Sequence, residues 1–458
     1  MRPESAGARR VEGARARRVE GARARWVKRV TGAAASLLAL ASSSGVASAD
    51  PPARAPAREP YVFVGDPKLG VETSVRTIDS LGRIAFRYED TLPRFEIDER
   101  RFPGKLLGLL GRAAELVFLD QPIAELTGLV AHEAGGHGAR ARELGLRPTY
   151  LFYLPGIYRP LFSARDGERA GAFTTYQTEG LIEEPASVVG TLGGLEANYV
   201  HAWWLNARIV RAGGWVHHGD LLVYGASKLP YADSFLSSSL EERGATSAND
   251  VESYVTSLQE LSNGWRAEDR RRIARRLAAG YLWNLADPTL LYALYGTVVS
   301  RLAFGQRTSR MPLPEIGGAT MLLSPRFALT PFGGEQGLDL FLADRRGAML
   351  DVYARVGTSG LASYYGVGAR ALGVRAGPRV RLGGELDAWR QPEILLGQRG
   401  VFEPPNRLGL NAGVYGDLWL TKELALTGKL GAKTPGYVSG LPIAGGPHGY
   451  LGVSVAWP

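Results

Sequence analysis

Residues 408–418, LGLNAGVYGDL, place an apolar side chain or glycine at every second position, with polar side chains or glycine between them. Because successive side chains of a β-strand point to opposite faces, this period of two predicts a strand with one apolar face. The same period recurs at 348–356, 380–388 and 424–433, and further runs lie near 319–329, 337–343, 364–374 and 449–457. The last third of the chain is therefore predicted to form about eight strands.

Two architectures share this alternation. In a soluble barrel or sandwich the apolar face points inward, whereas in an outer-membrane barrel it points to lipid and the charged face fills the lumen. The final run, YLGVSVAW at 450–457, resembles the C-terminal signal of outer-membrane proteins. We expect an α+β chain that ends in an antiparallel β-barrel of about eight strands at 317–458. The outer-membrane form is favoured, and a soluble periplasmic β-domain is the alternative.

The amino terminus predicts export. Residues 1–30 are basic, 31–49 are uncharged and rich in alanine and serine, and Ala47-Ser48-Ala49 forms a small-residue cleavage site. This order is typical of a secretory signal peptide at 1–49, and a retained anchor is the alternative. The Pro-rich segment 50–60 is interpreted as a linker.

Charge and cysteine content exclude several classes of protein. The formal net charge is +9, but most of the excess lies in 1–49, so the mature chain is nearly neutral and nucleic acid is not an expected partner. The chain has no cysteine, which excludes a disulfide scaffold, a cysteine-ligated zinc site, an iron–sulfur cluster and a thiol nucleophile.

The segment before these strands, residues 61–310, is predicted to have two parts. Residues 61–100 contain short β-like runs, and we predict a small β-rich segment there. Residues 101–310 change to helical periodicity, which predicts an α-helical domain. Its two apolar stretches, 185–207 and 277–300, are interpreted as buried core helices around the site described next.

The motif with most chemistry is AHEAGGHG at 131–138. His132 and His137 are five residues apart, which places them about 140° apart on a regular helix at ~100° per residue. A π-bulge adds one residue to the turn and would bring both imidazoles to one side. Gly135 and Gly136 would loosen the helix there and permit close backbone approach. We therefore predict a metal site at a distorted helix.

This hexapeptide resembles the H-E-x-x-G-H zinc motif of the dipeptidyl peptidase III family at every fixed position, from His132 to His137. The resemblance covers only these six residues and implies the metal-binding mode of zincin-type metallopeptidases, not the substrate or fold of that family. The segments around Glu196 and Asp287 also vaguely resemble helices of the membrane-embedded site-2 proteases.

Catalytic zinc needs three protein ligands and an open position. We expect His132 and His137 to bind Zn²⁺, with Glu133 as the catalytic general base. Glu196 is the preferred third ligand, because it is the only acid in its apolar helix. Asp287 and Glu184 are the alternatives. His201, one turn after Glu196, is expected to act beside the metal, either by orienting a ligand or by binding the oxyanion. The pair at 217–218 is expected to lie in a solvated loop.

Together these features predict an exported zinc metallopeptidase anchored at the outer membrane, with a periplasmic or surface-exposed helical domain. Its expected partners are a peptide or protein substrate and the membrane. One alternative is a non-enzymatic outer-membrane protein with a structural or vestigial metal site. A second is a membrane-embedded, site-2-like protease.

Overall fold

The computed structural model describes residues 59–92, 102–152, 172–177, 184–236, 249–261, 267–360, 363–393 and 406–456. The predicted signal peptide and nearly all of the predicted linker lie outside these ranges. Residues 56–458 cluster as one compact unit.

The strands form one large antiparallel sheet and two small ones. In the large sheet the spatial order is β1-β14-β13-β12-β11-β10-β9-β8-β7-β6. The bounds are β1 Tyr61–Gly65, β6 Glu315–Ile316, β7 Ala319–Thr330, β8 Gly333–Asp344, β9 Met349–Gly360, β10 Tyr364–Arg375, β11 Val380–Pro392, β12 Asn406–Trp419, β13 Leu424–Lys433 and β14 Gly446–Val455. The small sheets pair β2 Arg147–Phe152 with β3 Ala172–Gln177, and β4 Trp215–His217 with β5 Thr308–Arg310.

The predicted eight strands are present as β7 to β14, but the predicted closure is wrong. Within the described residues β1 and β6 are the edges of the sheet and do not pair with each other, so the sheet is open rather than a barrel. A helix lies beside the β1 edge instead: the Val62 amide donates to the Ser80 hydroxyl at 2.8 Å. Side-chain periodicity defines the strands, but it carries no information on whether the first and last strands meet.

The two faces of the sheet differ in polarity. Along β9 the buried side chains include Asp351 and Arg355, whereas Val352 and Val356 are exposed. The inner charges pair as expected from their mixed signs: Arg355 lies 3.1 Å from Glu335. The apolar row therefore points outward and the charged row points inward.

The helices pack against the inner side of the sheet. Their bounds are α1 Val71–Thr91, α2 Phe102–Glu115, α3 Gln121–Val130, α4 Gly138–Glu143, α5 Glu184–Arg211, α6 His218–Lys228, α7 Ala232–Phe235, α8 Asp250–Leu261, α9 Ala267–Tyr281 and α10 Pro288–Tyr295. π-Helical segments lie at Leu116–Asp120, Ala131–His137 and Gly296–Ala303, and a 3₁₀ turn lies at Leu282–Ala286. Residues between α2 and α4 keep helical backbone angles, so 102–143 is one continuous helix.

The predicted β-rich segment at 61–100 is wrong beyond its first strand. Only Tyr61–Gly65 is extended, and Val71–Thr91 is helical. Val71, Val75 and Phe86 are buried, and Val71 and Val75 are four residues apart, a helical spacing. The run VETSVRT at 71–77 fits the period of a strand as well as that of a helix, which explains why the strand prediction is wrong. Residues 93–100 lie outside the described ranges.

α5 is the central helix and runs along the inner face of the sheet. The Trp203 indole donates to Asp351 at 2.9 Å, and Asn206 donates to the Ser324 hydroxyl at 3.0 Å. This helix covers the predicted stretch 185–207 and carries Glu196 and His201. None of the helices in the described ranges combines the length and the apolar composition that crossing a membrane requires.

Candidate metal centre

The predicted π-bulge is confirmed. Residues Ala131–His137 form a π-helical turn inside the continuous helix. The wider turn brings the two histidines to the same side, with His132 Nε2 and His137 Nε2 3.2 Å apart and the ring planes at 79°. Both imidazoles are buried. The extra residue in the turn therefore produces the juxtaposition that the five-residue spacing required.

Glycines allow α5 to cross this turn at very short range. A Cβ added at Gly136 would lie 2.3 Å from the Gly193 carbonyl oxygen. A Cβ added at Gly194 would lie 2.3 Å from His132 Nε2 and 2.6 Å from His137 Nε2. Distances this short exclude any larger residue without movement of the neighbours, so the glycine pair of α5 is part of the site.

The third candidate ligand is Asp250, the first residue of α8. Its Oδ2 lies 2.8 Å from His132 Nε2 and 3.1 Å from His137 Nε2. Ligands of a tetrahedral zinc ion at 2.0–2.1 Å are about 3.3 Å from one another, so these three atoms lie only slightly closer than a zinc ion would hold them. Two imidazoles and one carboxylate are also the donor set of catalytic zinc sites, so the residues fit the ion.

Outer hydrogen bonds orient both imidazoles. His137 Nδ1 lies 2.8 Å from the Gly190 carbonyl oxygen, which accepts a hydrogen bond only from a protonated Nδ1. That tautomer leaves the Nε2 lone pair free for a metal. His132 Nδ1 lies 3.2 Å from the side-chain amide of Asn198. The group at this distance is the amide nitrogen, which donates to His132 Nδ1, so a neutral His132 carries its proton on Nε2 next to Asp250.

The electrostatics of the cluster favour a cation at its centre. Burial lowers the pKa of His137, but the adjacent Asp250 carboxylate outweighs this and raises the pKa to about 9. Burial likewise opposes ionisation of Asp250, yet His137 and the hydrogen bonds from both histidines hold the pKa of that carboxyl well below its usual range. A proton shared with Asp250 therefore occupies the electrostatic role that a metal ion would take.

Glu133 lies beside the first histidine and is held by a strand. Its Oε2 accepts a 2.6 Å hydrogen bond from the Thr174 hydroxyl of β3. The residue is 6 % exposed. Its charge also contributes to the raised pKa of His137, which places the carboxylate close to the cluster. Glu133 therefore lies in the same turn as the two histidines, with one carboxylate oxygen held by Thr174.

Tyr231 completes the cluster and was not found from sequence. Its hydroxyl donates to Asp250 Oδ2 at 2.7 Å and lies 3.3 Å from His132 Nε2. Burial and the Asp250 charge raise the pKa of Tyr231, so the hydroxyl stays protonated and remains a donor. Its φ of 55° lies in the left-handed region, a conformation that non-glycine residues adopt mainly where the surroundings require it.

The expected third ligand, Glu196, lies elsewhere. Its carboxylate accepts a 2.8 Å hydrogen bond from Arg140 Nε and another 2.8 Å bond from the Gly440 amide. The lone acid of this apolar helix does pair with a cation, but that cation is the Arg140 guanidinium. The connection from β13 to β14, residues 434–445, supplies the Gly440 amide. The position of this connection was not predictable from local sequence.

The other expected residues also have structural partners. Asp287 caps α10 by accepting from the Thr289 amide at 2.8 Å, and it pairs with Lys228 at 2.7 Å. His201 is fully buried with its Nε2 3.2 Å from Asp79, so it contacts α1 rather than the metal cluster. The side chain of Glu184 lies outside the described part of the chain.

Asp250 was missed because its sequence context is ordinary. It follows Asn249, whose side-chain oxygen accepts from the Val251 amide at 2.9 Å and caps α8. Acids in a first helical turn are common for reasons of helix polarity alone. Nothing in the local pattern separates such an acid from a ligand.

A second group of potential ligands contains Glu89, Asp120 and His218. His218 is buried rather than in the expected solvated loop, with its Nε2 3.0 Å from Asp120. Arginines already supply cations here: Arg301 lies 3.4 Å from Asp120, and Arg307 pairs with Glu89. The group therefore forms an ion-pair network that holds α1, α6 and the long helix together.

No protein family matches this chain, and no curated protein or solved structure matches it.

Proposed function

We propose that the protein is a zinc-dependent hydrolase that cleaves peptide bonds. The observation that carries this proposal is the convergence of His132, His137 and Asp250 within about hydrogen-bond distance of one another, with Glu133 in the same turn. Two elements of the fold supply these groups, the π-helical turn and α8. Their chemistry supports a divalent ion with an open fourth position.

Bound zinc would lower the pKa of a water to about 7 and polarise a substrate carbonyl. Glu133 accepts the proton of the attacking water and returns it to the leaving amine. Thr174 holds one oxygen of Glu133 and so orients the other. Tyr231 orients the Asp250 carboxylate through its 2.7 Å hydrogen bond.

Peptide substrates are favoured by the strand next to the general base. β3 carries Thr174 and pairs with β2, where Thr174 lies opposite Tyr150. An extended peptide can add to such a short sheet through backbone hydrogen bonds. This addition would bring a peptide bond near Glu133. The resemblance of 132–137 to a metallopeptidase motif points to the same reaction.

The test is peptide hydrolysis by the purified full-length protein after loading with zinc. Fluorogenic peptides of varied sequence serve as substrates, and Glu133→Gln is compared with Glu423→Gln, a change in an exposed turn. We expect Glu133→Gln to retain one zinc per chain and to lower kcat by about 10²- to 10⁴-fold. The matched control should keep full activity.

A structural metal site is the second candidate, and deep burial of the ligands favours it. His132 is 5 % exposed and His137 is 7 % exposed, so an ion here could serve to hold α8 against the π-helical turn. In that case zinc would raise the melting temperature of the wild type, and no peptide would be cleaved faster by the wild type than by Glu133→Gln.

A further inference from the structure

The outer face of the large sheet exposes an uninterrupted set of large apolar side chains, which we call the outer band. Its most exposed members include Leu386 at 60 %, Leu410 at 58 %, Leu430 at 68 % and Leu451 at 71 %. They lie on β11, β12, β13 and β14, which are neighbours in the sheet. A monomer in water rarely exposes a contiguous apolar patch beyond a few hundred Å². The band therefore requires a cover.

The inner face of the sheet is charged and packs against the helices, so it cannot take the place of the outer face. Lys429 pairs with Glu385 at 2.9 Å and with Glu72 of α1 at 2.7 Å. Asp387 accepts from Asn411 at 2.6 Å. This polarity is the inverse of a soluble sandwich and matches that of strands with a lipid-facing side and a polar interior.

Helices of the described chain also expose large apolar side chains. On the long helix Leu107 and Leu110 are each 56 % exposed, and Phe118 is 49 % exposed. Two charges of the same helix have partners in the protein: Arg112 donates to the Leu302 carbonyl at 2.7 Å, and Glu115 pairs with Arg301.

A second helical segment, α10, follows a turn that contacts β7 and β8. Leu291 and Leu294 of α10 are each 59 % exposed. The preceding turn is tied to the sheet, since Asn284 accepts from the Phe327 amide at 2.9 Å and Trp283 donates to the Gly337 carbonyl at 3.2 Å. Exposed apolar side chains are therefore found on the strands, on α10 after the turn that contacts β7 and β8, and on the long helix.

Lipid fits this surface better than a protein partner does. The band covers successive strands of the sheet, and further exposed apolar side chains lie on the long helix and on α10. Strands β9 to β12 have 12 to 14 residues. A tilted strand needs about 9–11 residues to cross the hydrocarbon core.

One end of the sheet carries a row of cations, which we call the basic rim. It surrounds a cavity of about 810 Å³ next to the short connections β8–β9, β10–β11 and β12–β13. Its members include Arg345, Arg346, Arg375, Arg379 and Lys422. Trp419 lies in the same rim and stacks under Arg381 at 5.1 Å. Cations and an interfacial aromatic at the end of an apolar band are complementary to anionic lipid headgroups.

The metal centre lies towards the opposite end. α5 contacts the histidines at Gly194 and reaches the basic rim at Arg211. Seventeen residues of helix separate these positions, or about 25 Å along the axis. The two features are thus separated by most of the thickness of a hydrocarbon core, which is about 30 Å.

We propose that the outer band and the exposed apolar sides of the long helix and α10 form one lipid-facing wall, part sheet and part helix, around a polar interior. The basic rim lies among anionic headgroups at one membrane surface, and the metal centre lies towards the other. This inference does not depend on the proposed hydrolase activity.

The absence of cysteine from the chain makes a clean test possible. Single-cysteine variants Leu410→Cys, Leu110→Cys and Arg346→Cys are spin-labelled on the full-length protein in vesicles of phosphatidylcholine and phosphatidylglycerol. Collision with oxygen, which concentrates in hydrocarbon, is compared with collision with a water-soluble nickel chelate. Arg346 of the rim is the control at the headgroup level.

We expect the oxygen-to-nickel ratio at Leu410 and at Leu110 to exceed that at Arg346 by about tenfold, because hydrocarbon excludes the chelate. A high ratio at Leu410 with free nickel access at Leu110 would overturn the composite wall. Nickel access at both sites, or a protein that stays monomeric without detergent or lipid, would overturn the proposal entirely.

Discussion

Among the described residues, two clusters bring histidine and carboxylate atoms within 4.8 Å of one another, yet they differ in what balances their charge. The His218 cluster (Glu89, Asp120, His218) contacts the guanidinium groups of Arg301 and Arg307. The His132 cluster (His132, His137, Asp250) instead contacts neutral groups, Tyr231 and Asn198. Proximity of ligand atoms alone therefore does not identify a metal site. A cluster whose counter-charge must come from a proton or an ion is the better candidate.

The largest expected effect separates the clusters directly. His137→Ala removes a ligand, so zinc affinity should fall by more than the ~100-fold that loss of an outer partner costs. His218→Ala should leave one zinc per chain, because arginines already neutralise that cluster. Zinc content after gel filtration measures both. Loss of zinc from His218→Ala, with retention in His137→Ala, would reverse the comparison.

The next prediction distinguishes Asp250 from Glu196. Asp250→Ala should lower zinc affinity by about 100-fold or more with a modest change in stability. Glu196→Gln should keep the zinc but leave Arg140 buried with one charge partner fewer, which costs about 3–5 kcal/mol in the free energy of unfolding. Chelator competition and denaturant unfolding measure the two quantities. Zinc loss from Glu196→Gln in folded protein would restore Glu196 as the ligand.

A glycine substitution tests how closely the helices must approach at the His132 cluster. The Cβ of Gly194→Ala would meet both histidine Nε2 atoms, so zinc affinity should fall. Gly128→Ala is the matched control on the long helix, because a Cβ there has nothing within 4 Å. The control should be neutral or stabilising by up to about 1 kcal/mol. Equal zinc affinity in both variants would show that the helix crossing is not part of the site.

The smallest expected effect concerns the orientation of the general base. Thr174→Val removes the hydroxyl that donates to Glu133 and keeps the side-chain shape. Peptide hydrolysis should fall by about tenfold, since geometry near a reacting group contributes modestly when the group itself remains. Zinc content should be unchanged. A loss of zinc would mean that β3 supports the ligands rather than the base.

Features that depend on local sequence pattern could be predicted, whereas features that depend on tertiary contacts could not. The strands, the long α5 and the π-helical turn follow from periodicity and from the five-residue spacing of His132 and His137. Sheet closure, the Glu196–Arg140 pair and Asp250 do not, because each depends on segments far apart in the chain. The charges at Arg112, Glu115 and Asp120 illustrate the same limit: sequence counts them, but only the fold shows that they face inward.

X-ray absorption at the zinc edge tests the metal centre most directly. The zinc-loaded protein should show two imidazole nitrogens and one carboxylate oxygen at about 2.0–2.1 Å with a water in the fourth position. Asp250→Ala should lose the carboxylate contribution, whereas Glu196→Gln should leave the spectrum unchanged. A spectrum with one imidazole or none would contradict the assignment of His132, His137 and Asp250 as a single metal site.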